Sequence, residues 1–483
     1  MAIGILATAP DELAPALREF VKKNVQEYKE AKKGIEYYKG QNDIKTNKIY
    51  YVDENGSMKE DKYASNVRIP HRFMRELVDQ KVQYLLSNPI EISVPDEKLE
   101  LEDILAEYYN EDFQQMLQDV ISNASQKGFE YVYAQQNSSD RVEFKVADGL
   151  KILPVFDNMG NVVRLVRIWE EEIGNEGQKY TLHHAEVYDS QNIYYFVAKN
   201  NDNYMLDPSK EINPTPHVVV AKETINGTEV SGRSYGTIPF YRLQNNAEEE
   251  TDLAPIKELI DDYDIMNAYM SNNLQDMTEA IYVLQGDVDS TVDDMRMNIK
   301  AKHAIITGDT DTKLDVKTFN IPYEGRKAKM ELDKENIYKF GMGFDNSQVG
   351  DGNITNIVLL SRYSLLDMKA NKTETRLRSL LRWINSLILN DINRKLGTTY
   401  VDSDVEFIIN RKLLVNASDQ VQVDKLEADT ISVKIQTLAD VAPFVDNETL
   451  VRAMCAELDL DYDEVAKAKD TEEYANNGAG ITE

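Results

Sequence analysis

The chain has 483 residues and a formal net charge of −30, with 84 Asp and Glu against 54 Lys and Arg. So acidic a chain is a poor candidate for holding nucleic acid on a broad face, because phosphate binding requires clustered basic side chains. The single cysteine, Cys455, excludes an internal disulfide and a cysteine-based zinc cluster within one chain. An apolar content of 42% predicts a globular protein.

The ends of the sequence carry no targeting pattern. The first ten residues lack the basic region and the apolar core of a signal peptide, so we expect an intracellular product. No run of about eighteen apolar residues occurs, which predicts that no helix spans a membrane. The last twelve residues are small and polar, and we expect them to fray.

In the first half of the chain, the spacing of apolar residues changes once. Residues 11–128 show the 3–4 spacing of helices, which we predict over 13–25, 72–86 and 99–125. From Phe129 to about Arg242 the period becomes two, with turn dipeptides between the apolar runs, which predicts antiparallel strands. Residues 1–250 are therefore predicted to be α+β.

Two long helices are predicted in the second half. The first covers 251–286, with apolar positions three and four apart at Ile256, Leu259, Tyr263, Met266, Met270, Leu274, Met277, Ile281 and Leu284. The second covers 357–396, with the same spacing at Leu359, Tyr363, Leu366, Ala370, Thr373, Leu377, Leu380, Ile384 and Leu387. Helices several times longer than the usual eleven to twelve or so residues suit a coiled coil, or a subunit that packs against copies of itself.

The remaining segments are shorter. Residues 287–322 are mixed and include a strand at 304–306, and 324–341 form a helix rich in Lys and Glu. Four glycines in 341–356 predict a loop. A strand at 405–409 precedes about three helices in 416–469, with Ser418 and Asn447 as the expected N-caps.

The residue patterns that could support metal binding or catalysis do not have the spacing that such sites require. Two aspartate clusters have partial calcium-loop spacing but lack its glycine: Asp459, Asp461 and Asp463, and Asp309, Asp311 and Asp315. His183 and His184 are neighbours in a strand and point to opposite faces, which disfavours zinc. Cys455 lies in an apolar helical run and is predicted to be core. We therefore expect no enzyme activity, no cofactor and no metal, and the classes left are assembly proteins and binding modules.

Several segments resemble the portal proteins of tailed double-stranded DNA phages, of the siphophage type with a compact subunit. The most specific are 66–90, which includes Asn66-Val67-Arg68-Ile69-Pro70 and Asn88-Pro89-Ile90, and 252–264, which is similar to the first stem helix of that family. Weaker likenesses occur in 37–44, 236–240 and 353–374. The order of elements along the chain agrees with them as far as about residue 412.

The resemblance implies an α+β portal fold with wing, stem, clip and crown, whose long helices pack around a ring. The implied layout is a wing at 1–250, stem helices at 251–286 and 324–343, a clip at 287–323, a tunnel loop at 344–356, a long wing helix and strand at 357–412, and a helical crown at 413–483.

The resemblance also implies the function. Such a protein forms a ring channel, typically a dodecamer, at the portal vertex of the capsid, and assembles in the host cytoplasm. Double-stranded DNA passes through it during packaging and ejection. The implied partners are the terminase large subunit, a head-completion adaptor, and the major capsid and scaffolding proteins.

Two sets of residues are candidates for the channel wall. The tunnel loop would contribute Asn346, Ser347, Gln348, Val349, Asp351 and Asn353. The second stem helix would contribute Lys327, Lys329, Lys334 and Lys339, which either touch the DNA backbone or pair with carboxylates such as Glu331 and Glu335. Another coiled-coil-rich capsid assembly or scaffold protein stays open as an alternative, followed by a metal-dependent hydrolase.

Overall fold

The computed structural model describes residues 10–25, 28–53, 55–62, 64–174, 179–224, 227–276, 280–285, 313–318, 322–345, 356–411 and 417–458, together with positions 291, 294, 297, 460 and 462. The chain divides into two compact units. The first comprises residues 1–348 and 363–412, and the second comprises 349–362 and 413–483.

Ten α-helices lie in the described ranges. They are α1 Pro10–Asn24, α2 Lys29–Tyr38, α3 Phe73–Leu85, α4 Leu99–Ala106, α5 Glu111–Lys127, α6 Lys257–Asp276, α7 Tyr323–Phe340, α8 Asn356–Leu396, α9 Ala417–Val441 and α10 Asn447–Leu458. The helix predicted over 99–125 is therefore two helices. The break occurs because the Asn110 side chain accepts a hydrogen bond from the Phe113 amide and starts a new helix.

The strands confirm the predicted β-rich region. They are β1 Tyr50–Val52, β2 Met58–Glu60, β3 Glu91–Ser93, β4 Phe129–Gln136, β5 Val142–Ala147, β6 Ile152–Phe156, β7 Val162–Ile173, β8 Tyr180–Tyr188, β9 Asn192–Lys199, β10 Met205–Leu206, β11 Thr215–Pro216, β12 Val218–Thr224, β13 Gly227–Arg233, β14 Phe240–Gln244, β15 Ala280–Gln285, β16 Lys313–Thr318 and β17 Glu406–Ile408. Strands β6 to β10 form one antiparallel meander in the order β10-β9-β8-β7-β6, with β11 also paired to β9.

Helix α1 covers one face of this meander. Its Leu13 and Leu17 are fully buried against Leu153, Val166 and Phe196 of the sheet. The 3–4 spacing of α1 and the period of two in the strands place apolar side chains on facing surfaces. A second sheet, in the order β14-β4-β5, adjoins α5, whose chain turns into β4 at Gly128.

The apolar face predicted for α8 is buried within the first unit. From Tyr363 to Leu387 all eight predicted positions are buried, and most are fully so. This confirms that the spacing marks a packed helix face. The subunit's own side chains cover this face.

The prediction of one long helix over 251–286 is wrong at the C-terminal end of that range. Helix α6 ends at Asp276, and residues 280–285 form β15, which pairs with β16 from Ala280–Thr318 to Gln285–Lys313. The run Ala280-Ile281-Tyr282-Val283-Leu284 favours a strand once a partner is present. That partner lies about thirty residues further along the chain, where local periodicity carries no information about it.

The second unit contains α9 and α10, which pack against each other. Cys455 of α10 is buried, as its apolar run predicted. The expected caps are displaced. Ser418 lies inside α9, and Asp446 rather than Asn447 caps α10, because its carboxylate accepts a hydrogen bond from the Thr449 amide at 2.9 Å.

The two histidines considered as zinc ligands have neighbouring side chains of their own chain as partners, and several other predicted positions lie outside the described residues. His183 lies 3.2 Å from Glu170, and His184 stacks on Trp169 at 4.9 Å between ring centroids. The strand predicted at 304–306 lies outside the described residues, as do Asp309 and Asp311 and the triplet Asp459, Asp461 and Asp463.

Candidate functional site at a helix pair and its charged junction

Helices α6 and α7 form an antiparallel pair in the first unit. Lys329 of α7 lies 2.5 Å from Asp262 of α6 and 2.5 Å from Asp333 of its own helix, so one cation joins the two helices. Those hydrogen bonds raise the pKa of Lys329. The ring of Phe73 lies edge-on to Tyr263 of α6 and to Tyr338 of α7, with centroids 5.1 and 6.0 Å away. The chain between the two helices includes the ribbon β15–β16.

The four lysines predicted for the channel differ in their surroundings. Lys327 pairs with Glu331 at 3.9 Å, as the helical spacing allowed, and Lys334 pairs with Asp345 at 3.1 Å. With Lys329, three of the four are therefore matched by carboxylates of their own chain. Lys339 is exposed and forms no ion pair with any other residue that the structure describes.

The six residues predicted for the tunnel loop, Asn346 to Asn353, lie outside the described residues. The segment that leads into them is well positioned. Gln80 of α3 makes two hydrogen bonds to the Phe344 backbone, since its Nε2 donates to the carbonyl at 2.8 Å and its Oε1 accepts from the amide at 2.9 Å. The Phe344 ring stacks on Tyr363 of α8 at 4.6 Å. Gly343 adjoins Leu77 so closely that a Cβ there would lie 2.0 Å from a methyl carbon.

Gln80→Leu removes both hydrogen bonds to Phe344 while keeping the size of the side chain. We expect the Phe344 amide to exchange with solvent about tenfold faster, because it loses its acceptor. Hydrogen–deuterium exchange of a peptide covering 341–345 measures this. Gln83→Leu is the matched control, since Gln83 is an exposed residue of the same helix. Equal exchange in both variants would contradict the role given to Gln80.

A group of charges lies between the segment that precedes α6 and the residue that follows α7. We call Lys81, Asp252 and Lys369 the charged junction. The Lys81 ammonium lies 3.3 Å from the Asp252 carboxylate, and the Lys369 ammonium lies 3.0 Å from the same oxygen. Lys81 also donates to Ser125 at 2.9 Å and to Asn245 at 2.6 Å, while Lys369 donates to the Gly341 carbonyl at 2.9 Å. The junction therefore connects α3, α5 and α8 with the segment that precedes α6 and the residue that follows α7, at one end of the helix pair.

The junction holds two cations against one carboxylate. The two ammonium groups keep the pKa of Asp252 far below its usual range despite its burial, which favours the ionised carboxylate at neutral pH. Burial lowers the pKa of Lys81 to about 8, with the nearby Lys369 acting in the same direction and Asp252 opposing it. The charge at Lys81 is thus weakly held compared with that of an exposed lysine.

The Lys81 pKa predicts a pH dependence of stability. Between pH 8 and its unfolded value of about 10.4, Lys81 binds fewer protons in the folded chain than in the unfolded chain. Its contribution to the free energy of unfolding therefore rises with pH across this window, by up to about 1.4 kcal/mol per pH unit. We expect Lys81→Met to lose that rise in denaturant unfolding at pH 8, 9 and 10. A parallel pH profile in variant and wild type would contradict it.

A second set of polar contacts holds α6 to the N-terminal segment. The buried Asp264 accepts hydrogen bonds from the Asn42 amide group at 2.7 Å and from the His71 backbone at 3.0 Å. One turn earlier, Asp261 accepts from the Tyr37 hydroxyl and lies 2.6 Å from Lys257. Asn272, two turns later, accepts from the Val67 amide at 2.8 Å. One face of α6 is thus positioned by residues 37–71.

Comparison with known proteins identifies the family. Residues 18–478 match the family model described as "Phage portal protein, SPP1 Gp6-like". The chain is 27% identical over 429 residues to the portal protein of Bacillus phage SPP1, covering 86% of this chain and 82% of that protein. It is 24% identical over 361 residues to the portal protein of Clostridium phage phiCD119, covering 71% and 75%. The chain belongs to the SPP1 Gp6-like family of phage portal proteins.

In this portal-family protein, three of the segments that resemble the family meet at the charged junction. Lys81 comes from 66–90, Asp252 from 252–264 and Lys369 from 353–374. Sequence reasoning did not single out these residues as a site. The available indication was a charge at a helical position whose neighbours three and four residues away are apolar, as with Lys81 between Leu77, Val78 and Leu85.

Phage portal proteins are structural proteins, which agrees with the lack of a recognisable catalytic motif in the sequence. Within the described ranges, no three His, Cys, Asp or Glu side chains are arranged to hold a metal ion. A search of the same ranges finds no helix with the length and apolar character needed to cross a membrane.

Proposed function

We propose that the protein is the subunit of a portal ring, through which double-stranded DNA enters the phage capsid and later leaves it. The observation that carries this proposal is the family match, which runs from residue 18 to residue 478 and so includes the helix pair, α8 and the second unit. In this proposal the ring is dodecameric, occupies one capsid vertex, and docks the terminase large subunit first and head-completion proteins later.

The charges of the chain support DNA as a passing cargo. A net charge of −30 per subunit repels phosphates, and salt-dependent lysine contacts would slow their movement. Lys327, Lys329 and Lys334 already have carboxylate partners in their own chain. Of the four predicted lysines, Lys339 is therefore our candidate for brief contact with the DNA backbone.

We extend the proposal to the loop at 344–356. Its entry is held by Gln80 and Tyr363, so the residues that follow start from a fixed point. Its six candidate residues, uncharged except for Asp351, would narrow the channel and slide along DNA. Phages carrying single loop substitutions should show altered packaging or genome retention. Unchanged packaging and retention across the set would remove the sliding role while leaving the ring intact.

Electron microscopy of the purified protein tests the main proposal. We expect rings with a central hole, because the family match favours a closed assembly. Filaments or rods would instead favour the alternative of a coiled-coil scaffold. Compact monomers at all concentrations, together with a metal-dependent hydrolytic activity, would favour the hydrolase alternative.

A further inference from the structure

The second unit has an apolar face that its own helices leave open. Helices α9 and α10 pack together, and Lys434 of α9 lies 2.7 Å from Glu457 of α10. On α9 the half-buried apolar residues are Ile431, Ile435 and Leu438, four and three positions apart, which is the spacing of one helix face. This face accounts for the packing of the hairpin.

Another side of α9 carries exposed apolar side chains, with Thr430 and Thr437 between them. Val433 is 66% exposed, and Leu426 and Val441 are 43% and 41% exposed. Phe444 follows in the short turn after α9 and is 86% exposed. Spacings of seven and eight residues place Leu426, Val433 and Val441 within about 80° of one another around the helix axis, over about four turns, and Phe444 follows just beyond the end of α9. We call these four side chains the exposed apolar face. A strip of this length and exposure is typical of a surface that binds a helix.

Carboxylates accompany this face. Asp429 and Asp440 are exposed beside it and form no ion pair with any residue in the described ranges. The region to which α9 and α10 belong, residues 413–483, has sixteen Asp and Glu against five Lys and Arg. It is therefore markedly more acidic for its length than the chain as a whole.

The negative charge of this region distinguishes between the molecules that could bind to the exposed apolar face. DNA would be repelled by the unpaired carboxylates. A second copy paired α9 to α9 would bring the same excess of negative charge and the same unpaired aspartates to the interface. An amphipathic helix with apolar residues on one side and flanking Lys or Arg matches both the exposed apolar face and the carboxylates.

We propose that the exposed apolar face of α9 binds a basic amphipathic helix of another protein. The apolar residues of that helix would cover Val433 and Phe444, and its cations would pair with Asp429 and Asp440. The interaction requires only the surface of α9, so it does not depend on ring closure and can fail or succeed separately from the proposed portal function.

A designed peptide tests this proposal with the full chain. The probe is a synthetic helical peptide of about eighteen residues, five turns long, with Leu on one face and Lys on the other. Its counterpart carries Glu in place of Lys. We expect the Leu/Lys peptide to bind and the Leu/Glu peptide not to bind, by isothermal titration calorimetry. Val433→Asp with Phe444→Asp should weaken the binding about tenfold or more, because the apolar contact is lost.

The substitutions separate specific binding from general attraction to an acidic protein. Each adds a carboxylate, so simple electrostatic adsorption would strengthen in the double variant and only loss of the apolar contact weakens it. Val401→Asp is the matched control, because Val401 is a similarly exposed valine in the first unit. Unchanged or tighter binding in the double variant would overturn the proposal. So would a changed oligomeric state of that variant without peptide, which would identify a second copy as the occupant.

Discussion

Replacing Asp252 by Asn is expected to destabilise the folded chain by about 3–5 kcal/mol, which is the usual cost of removing one partner from a buried ion pair. The side chain keeps its size, so the effect reports the lost charge. The buried Lys81 and the largely covered Lys369 would then face a neutral amide, 3.3 and 3.0 Å from the former carboxylate oxygen. Equilibrium unfolding in denaturant at pH 7 measures the change.

Two further variants make this prediction sharp. Asp262→Asn removes a carboxylate that is 41% exposed and whose partner, Lys329, keeps Asp333, so we expect a loss below about 1 kcal/mol. Adding Lys369→Met to Asp252→Asn should recover at least about 1 kcal/mol, because one uncompensated cation is removed. The charged junction would lose its assigned role if Asp252→Asn cost no more than Asp262→Asn.

Replacing Gly34 by Ala is expected to destabilise the protein by about 1–3 kcal/mol, the usual range for overpacking. Local structure favours the substitution, since Gly34 lies inside α2 and alanine is the better helix former. Tertiary structure opposes it, because a Cβ at this position would lie 1.9 Å from the Gln126 carbonyl oxygen of α5. The helices must separate to admit the methyl group, and the contact between α2 and α5 is lost.

The same substitution at Gly325 serves as the matched control. Gly325 lies in α7, and a Cβ there meets nothing within 4 Å. Gly325→Ala should therefore stabilise the protein by about 0.5–1 kcal/mol, through the lower entropy of the unfolded chain. Thermal unfolding of the two variants should shift the midpoint in opposite directions. Shifts of the same sign would show that helix propensity, rather than packing, controls position 34.

Local apolar patterns were sufficient to predict a helix or strand where one face of that element packs against the core of its own subunit. The 3–4 spacing predicted α8 and its buried residues from Tyr363 to Leu387, and the period of two predicted the strands from Phe129 to about Arg242. These signals survive folding because the core selects apolar side chains at the period of each element. The family likeness came from the same sequence and was confirmed by the match over residues 18–478.

Long-range partners decided the features that the sequence left open. The end of α6 and the strand β15 depend on β16, and the orientation of Gln80 depends on Phe344, 264 residues away. Likewise, the local sequence marks Lys81 only as a charge among apolar helical neighbours, and the fold alone places it against Asp252 and near Lys369, whereas Lys327 lies at the surface beside Glu331.

The sequence by itself thus determined the order of the elements, their apolar faces, the strong acidity and the portal family. The tertiary structure decided which charges are buried, which lysines already have partners, and which apolar face of α9 stays open. The physical reason is that periodicity records whether a side chain faces a core, whereas the identity of its neighbour depends on how segments far apart in the chain come together.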